Sequence, residues 1–299
     1  MGIKLFDIQK NSFAREDVPA ESLMRFLYGN PIGALSVWAL FKRGFFSRLC
    51  GMWAASKRSA KAVAPFVAKN GINCDEMVFS PEKYETFNAF FTRRLVDGAR
   101  PIEDADNENA VSFPSDGRHL LVRNVSEADK FYAKGQRFDL RAFFGDAELA
   151  RNFGGGDMLI SRLAPVDYHR FHFPLSGCIA ARRLINGALY SVSPIALVPR
   201  LSVLWENRRV MNIVENPKFG FYAFFEIGAT NVGSIVNTRN VGDCVERGDE
   251  AGYFNFGGSC VISIFPKGVK WNEKLVEMSA KGVECYAKEG MKAGEFVGV

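Results

Sequence analysis

The serine of Phe256-Gly257-Gly258-Ser259-Cys260 stands behind two glycines and opens a β-branched apolar run, Val261-Ile262-Ser263-Ile264-Phe265. Gly258 carries no Cβ, so the peptide joining it to Ser259 can bend into conformations that other residues resist. Tethering then lets the Ser259 hydroxyl attack the Gly258 carbonyl in a preset geometry. Attack converts the amide to an ester, and β-elimination leaves a dehydroalanine at 259. Tautomerisation and hydrolysis turn that residue into a pyruvoyl group at the head of a new chain, an electron sink of the kind a bound cofactor usually supplies. Taken alone, the pentapeptide reads more simply as a Gly-Gly turn before a core strand.

A base must deprotonate such a serine, and a third group must orient the base. Asp167-Tyr168-His169-Arg170-Phe171-His172-Phe173-Pro174 holds two of the three histidines in the chain. Phe113-Pro114-Ser115-Asp116-Gly117 puts an acid in a tight turn. Singly, Asp116 reads as an Asx-turn residue and His172 as a satisfied strand histidine. His169 and His172 are three apart, so a regular strand points them to opposite sides.

With Phe87-Asn88-Ala89-Phe90-Phe91-Thr92-Arg93-Arg94-Leu95, Gly98-Ala99-Arg100-Pro101-Ile102 and Gly228-Ala229-Thr230-Asn231-Val232-Gly233-Ser234-Ile235, these segments resemble the phosphatidylserine decarboxylase family from about Phe87 to Phe265. The resemblance implies self-cleavage between Gly258 and Ser259, a covalent pyruvoyl cofactor derived from Ser259, and decarboxylation of phosphatidylserine to phosphatidylethanolamine. It implies Asp116, His172 and Ser259 as the self-processing triad, His169 in the decarboxylation step, and Ser191 lining the pocket as a substrate-binding residue. It also implies a heterodimer of the two cleaved chains, open to further dimerisation. Cys260 departs from the Thr or Ser that usually follows the family serine, and a thiol there can change the rate or open a side reaction.

The elements that must carry these residues read as an α+β protein: a helical, membrane-associating N-terminal region over residues 1–100 and a β-rich catalytic domain over 101–299. Expected strands are Leu120–Val122, Met158–Arg162, Phe219–Ile227, Ser234–Asn237 and Cys260–Phe265, with a short helix over Asp139–Phe144. Ser80-Pro81 predicts an N-cap followed by proline at N1, opening a helix with Tyr84, Phe87, Phe90 and Phe91 as a core stripe and ending by Asp97-Gly98. His119 is read as structural.

From Ser22 to Asn70 there is no acidic residue, while Lys42, Arg43, Arg48 and five further Lys or Arg accompany Phe26, Trp38, Phe41, Phe45 and Phe46. Phe26–Phe41 is shorter than the roughly 20 apolar residues that span a bilayer. Short aromatic helices with a Lys/Arg face instead suit the plane of an anionic membrane, each basic residue contributing about 1 kcal/mol. The competing reading is a helical subdomain packed on the core.

The net charge of +5 is small, and no nucleic-acid partner is expected. Scattered cysteines argue against a disulfide framework or structural zinc and fit a reducing compartment; three histidines without an H-E-x-x-H motif argue against a catalytic metal. Met1–Asn11 lacks an apolar signal segment. A peripheral protein on the cytoplasmic face of a bacterial cell membrane is expected.

Three rivals remain. A hydrolase using Ser259, His172 and Asp116 on intact chain lacks the G-x-S-x-G elbow. An uncleaved, catalytically silent lipid-binding homologue would have no need of the intact Ser259, Asp116, His169 and His172. A pyruvoyl decarboxylase of soluble amino acids would not need the acid-free basic stretch.

Overall fold

The computed structural model describes residues 2–16, 45–125, 138–190, 192, 194–197, 202–228, 235–257 and 259–298. Its strands are β1 (Ile3–Asp7), β2 (Ser12–Glu16), β3 (Ala110–Ser112), β4 (Gly117–Val122), β5 (Asp157–Leu163), β6 (Arg170–His172), β7 (Gly177–Ile185) and β8 (Arg209–Asn216). They continue with β9 (Gly220–Gly228), β10 (Ile235–Asn237), β11 (Cys244–Val245), β12 (Glu250–Phe254), β13 (Ser259–Phe265), β14 (Val269–Trp271), β15 (Cys285–Ala287) and β16 (Lys292–Phe296). A ten-stranded sheet runs β11-β7-β8-β9-β13-β5-β4-β15-β1-β2, and two three-stranded sheets run β10-β12-β6 and β14-β16-β3.

β13 is central because both of its faces find apolar partners. Successive side chains of a strand alternate between faces: Val261 and Phe265 enter a core with Leu163, Phe171, Phe173 and Phe254, while Cys260, Ile262 and Ile264 enter a second with Phe143, Phe144 and Phe225. Two-sided burial explains why this segment reads as a continuous apolar run rather than an alternation. The expected strands all appear, Ser234 alone lying outside the described residues, and the short helix forms over Leu140–Phe144 with Asp139 as its N-cap.

The N-terminal third departs from expectation in two places. Residues 1–100 are not helical throughout: β1 and β2 form a hairpin, and β1 joins the large sheet in parallel to β15. Glu16 explains why this charged segment is a strand, since its carboxylate is buried against Arg162, at 3.2 and 2.6 Å. Helices α1 (Phe45–Ala54), α2 (Val63–Asn70) and α3 (Phe87–Phe91) follow. The helix expected from Ser80-Pro81 is instead a single 3-10 turn, Pro81–Lys83, without a side-chain cap at Ser80. Tyr84 leaves the turn extended, and Thr86 caps α3 by accepting from the Ala89 amide at 3.0 Å. The core stripe holds nonetheless, with Tyr84, Phe87, Phe90 and Phe91 all buried.

The cysteines, read as forming no disulfide framework, nevertheless hold one disulfide. Cys178 and Cys244 are bonded across a sequence separation of 66 residues. They face each other on the paired strands β7 and β11, a register that linear spacing cannot reveal.

Arg162 is buried between two acids: it meets Glu16 as above and Glu284 at 3.1 and 2.6 Å. Burial works against ionisation of Glu16, but Arg162 overrides it and holds the carboxyl below its usual range. Removing one partner of such a cluster leaves buried charge uncompensated. Arg162→Met is therefore expected to destabilise the fold by about 3–5 kcal/mol, read as a lowered thermal midpoint with faster amide exchange in β1 and β2. An unchanged midpoint would show that the hairpin is held by its apolar contacts alone.

Candidate active site

Ser259 opens β13 opposite Leu163 of β5 and Gly228 of β9. The chain leading into it is anchored. Phe256 donates its amide to Asn88 Oδ1 at 2.8 Å, and its ring packs edge-on against Phe87 and Phe91. Gly257 has φ 150°, a left-handed value that favours glycine. Gly258 lies outside the described residues, as does Ser191.

Ser259 is fully buried, and its hydroxyl is 3.2 Å from His169 Nδ1. The other ring nitrogen, Nε2, is 2.9 Å from the Ala164 carbonyl. A carbonyl only accepts, so Nε2 carries the proton and Nδ1 offers its lone pair to the serine O–H. The imidazole also stacks on Phe91, centroids 3.7 Å apart. Burial, and then the Arg93 guanidinium, push its pKa well below the ordinary histidine value, so the ring is held neutral. Both β5 and the following turn place it. The Ala164 amide donates to Asp167 Oδ2 at 2.6 Å, Arg118 pairs with the same carboxylate, and Arg93 holds the Asp167 carbonyl at 3.0 Å.

His172 goes elsewhere. Its amide donates to the Pro114 carbonyl at 2.7 Å and its Nδ1 to the Gly248 carbonyl at 2.8 Å, while Nε2 has no hydrogen-bond partner. Burial lowers its pKa as well. Asp116 receives a two-pronged contact from Arg100, Nε at 2.8 Å and Nη2 at 2.6 Å, and accepts the Glu289 amide at 2.9 Å. The structure thus brings His169, not His172, to Ser259, and Asp116 to Arg100 rather than into hydrogen bonding with either histidine. Arg100 and Glu289 were not singled out by motif. Arg100 lies within Gly98-Ala99-Arg100-Pro101-Ile102, one of the segments that resemble the family, whereas nothing in Lys288-Glu289-Gly290 signals a buried acid.

Two expectations about neighbours resolve here. His119 bonds Ser161 Oγ at 2.9 Å and burial lowers its pKa to about 3, a structural role. Cys260 points to the sheet face opposite Ser259, and burial raises its thiol to about 12. A thiol kept protonated and turned away is a poor competitor for the chemistry at 259.

A polar cavity of about 240 Å³ lies beside the Val166–Tyr168 turn, lined among others by Asp116, Arg100, Arg118, Tyr168 and Lys288. Among the described residues no cluster of His, Cys, Asp or Glu is placed to hold a metal ion.

A sequence model of the family described as phosphatidylserine decarboxylase matches residues 87–298. The phosphatidylserine decarboxylase proenzyme of Fusobacterium nucleatum is 40% identical over 293 residues, covering 98% of this chain and 97% of that protein. The proenzyme of Clostridium novyi is 37% identical over 293 residues, covering 98% and 99%. That of Chlamydia trachomatis is 38% identical over 282 residues, covering 94% and 93%. With a buried serine addressed by a neutral histidine at the head of its central strand, and likeness along nearly its whole length, the chain belongs to the phosphatidylserine decarboxylase family.

Proposed function

We propose that this protein cleaves itself after Gly258, converts Ser259 to a pyruvoyl group, and then decarboxylates phosphatidylserine to phosphatidylethanolamine. The observation that carries the reading is the hydrogen bond between His169 Nδ1 and the buried Ser259 hydroxyl, in a chain whose relatives are named as proenzymes. In processing, Ser259 Oγ gives up its proton and attacks the Gly258 carbonyl carbon. The C–N bond breaks, leaving an ester and a free amine. Loss of the Ser259 α-proton expels the Gly258 carboxylate, and water then replaces ammonia.

The residues present suit the group. A carbonyl made from Ser259 would stand beside His169, in a site where the serine is wholly buried. The pyruvoyl group supplies a carbonyl that reacts with an amine and draws electrons from the bond to the departing carbon dioxide. His169 is then the nearest imidazole to the reacting carbon and the candidate donor or positioner of its proton.

Processing rests, by family resemblance, on Asp116, His172 and Ser259. For His172 to act, the hydroxyl must exchange His169 for the unpartnered Nε2 of His172, and the glycines before Ser259 carry the torsional freedom for that exchange. A hydrolase acting on intact chain is disfavoured because Ser259 opens strand β13 rather than the helix that follows a G-x-S-x-G serine. After cleavage, β13 remains paired on both edges, with β5 and β9, which supports a stable complex of residues 1–258 with 259–299.

Among the described residues no helix is long and apolar enough to cross a membrane. The helical segment of residues 45–100 is proposed as the membrane-facing cap on the catalytic part, 101–299. Leu49, Met52 and Trp53 of α1 are exposed, as are Val78 and Phe79, and α1 lies within the acid-free basic stretch of Ser22 to Asn70. Lys42 and Arg43 lie outside the described residues, as does the side chain of Arg48. The proposed surface is the cytoplasmic face of a bacterial cell membrane.

Ser259→Ala should yield one intact, inactive chain, and His172→Ala or Asp116→Asn should arrest cleavage. His169→Ala should cleave yet fail to decarboxylate, with fragments read by intact mass and activity by carbon dioxide release. Arrest of cleavage by His169→Ala, with normal cleavage of His172→Ala, would give the processing step to the histidine that touches the hydroxyl.

Liposome flotation should rise with anionic lipid content, weaken in high salt because exposed charges are screened within about 8–10 Å, and fall for Lys42, Arg43 and Arg48 changed together to Glu. Met52→Ser with Trp53→Ser should also weaken it, through lost apolar burial. Unchanged flotation of both variants would move the membrane contact elsewhere.

A further inference from the structure

We infer that Glu289 balances the charge of a protonated His172: its carboxyl is held beside the ring, which the Gly248 carbonyl orients. The inference rests on the proposed role of His172 in processing, but its geometry stands independently. Glu289 Oε1 is 3.8 Å from His172 Nδ1 and has no hydrogen-bond partner, although the residue is only 3% exposed. Both oxygens of Asp116 are already taken by Arg100, and one also by the Glu289 amide.

Delivery of Glu289 is a backbone matter. The Phe113–Asp116 turn holds the Glu289 segment through Phe113 N–H to the Met291 carbonyl at 2.9 Å, Gly290 N–H to the Phe113 carbonyl at 3.3 Å and Glu289 N–H to Asp116. Gly290 has φ 81°, and a Cβ there would lie 2.7 Å from the Pro101 carbonyl oxygen, so the turn requires glycine. The same Phe113–Asp116 turn fixes His172 through the Pro114 carbonyl. One turn therefore places both members of the pair.

The charges of Glu250 and then Asp116 also favour a protonated His172, but each is tied to an arginine. Arg170 and Glu250 meet at 2.9 Å in two contacts, Lys288 meets Glu76 at 2.8 Å, and Arg100 is shared between Asp116 and Glu76. Tyr168 lies with its ring 5.8 Å from that of His172, and burial raises its phenol further above its ordinary value. Among the described residues the carboxyl of Glu289 has no Lys or Arg within salt-bridge distance.

Burial, and then the Asp116 charge, raise the Glu289 acid to about 8, while burial lowers His172. Between the lowered pKa of His172 and that pH the pair is an uncharged acid beside an uncharged imidazole. A proton taken up at Nε2 makes His172 a cation, which an ionised Glu289 stabilises and a protonated one does not. An opposite charge at this distance strengthens a base by one or more pKa units. The step that uses His172 as base should accordingly quicken as pH rises through about 8.

The chain made by cell-free synthesis, with release of the 259–299 fragment followed on both sides of pH 8, tests this. The parent should gain about tenfold in cleavage rate across the transition. Glu289→Gln should keep the slow rate throughout, and Glu289→Asp should restore a step. Persistence of the parent's step in Glu289→Gln would overturn the inference. Ring-nitrogen NMR of His172 in the uncleaved Ser259→Ala chain gives a readout free of catalysis. Its signals should shift with an inflection near 8 that Glu289→Gln abolishes. An inflection that survives the substitution, or is absent from the parent, sinks the pairing; normal cleavage of His172→Ala with the inflection intact sinks only the processing role.

Discussion

Everything at the site depends on Ser259 occupying the first position of a strand paired on both edges. Register with β5 and β9 removes the serine from water and fixes its direction. Leu163, its partner on β5, is the last residue before the turn that carries Ala164, Asp167 and His169. One strand register thus sets the position of Ser259 and starts the chain segment that brings His169 to it. A one-residue slip would turn Ser259 to the opposite face and Cys260 into its place.

Burial then does most of the electrostatic work. Both histidines of the 169–172 segment are neutral because low-dielectric surroundings oppose the charged form, not because a neighbouring cation alone suppresses it. Desolvation acts in the opposite sense on Glu289, which it keeps as an acid. The charges that do survive inside are held in matched groups: Arg162 with Glu16 and Glu284, Arg100 with Asp116 and Glu76, Arg170 with Glu250. These pairs sit where β-strands and long loops must be locked together, so they act as cross-links between segments far apart in the chain. Their net worth is small beside the cost of leaving either partner alone.

The helical segment is coupled to the site through rings rather than charges. Trp53 of α1 contacts Phe256, Phe256 contacts Phe91, and Phe91 stacks on His169. The face of α1 that exposes Leu49 and Met52 is therefore three aromatic contacts from the imidazole beside Ser259.

Much of this was legible from residue type and spacing alone. The apolar run after Ser259 could only be a buried strand or a buried helix, and its length and β-branching favoured the strand. The aromatic stripe of Tyr84, Phe87, Phe90 and Phe91 belonged to a core, whereas spacing alone left open whether a bulge or turn brings His169 and His172 to one pocket. The chemistry of a serine behind two glycines was likewise a local property. What only the tertiary structure decided were the non-local pairings: His169 to Ser259 across 90 residues, Cys178 to Cys244, Glu16 to Arg162, and Glu289 beside His172. Each depends on sheet register and burial, which come from the collapse of the whole chain, and no pattern within a short window carries that information.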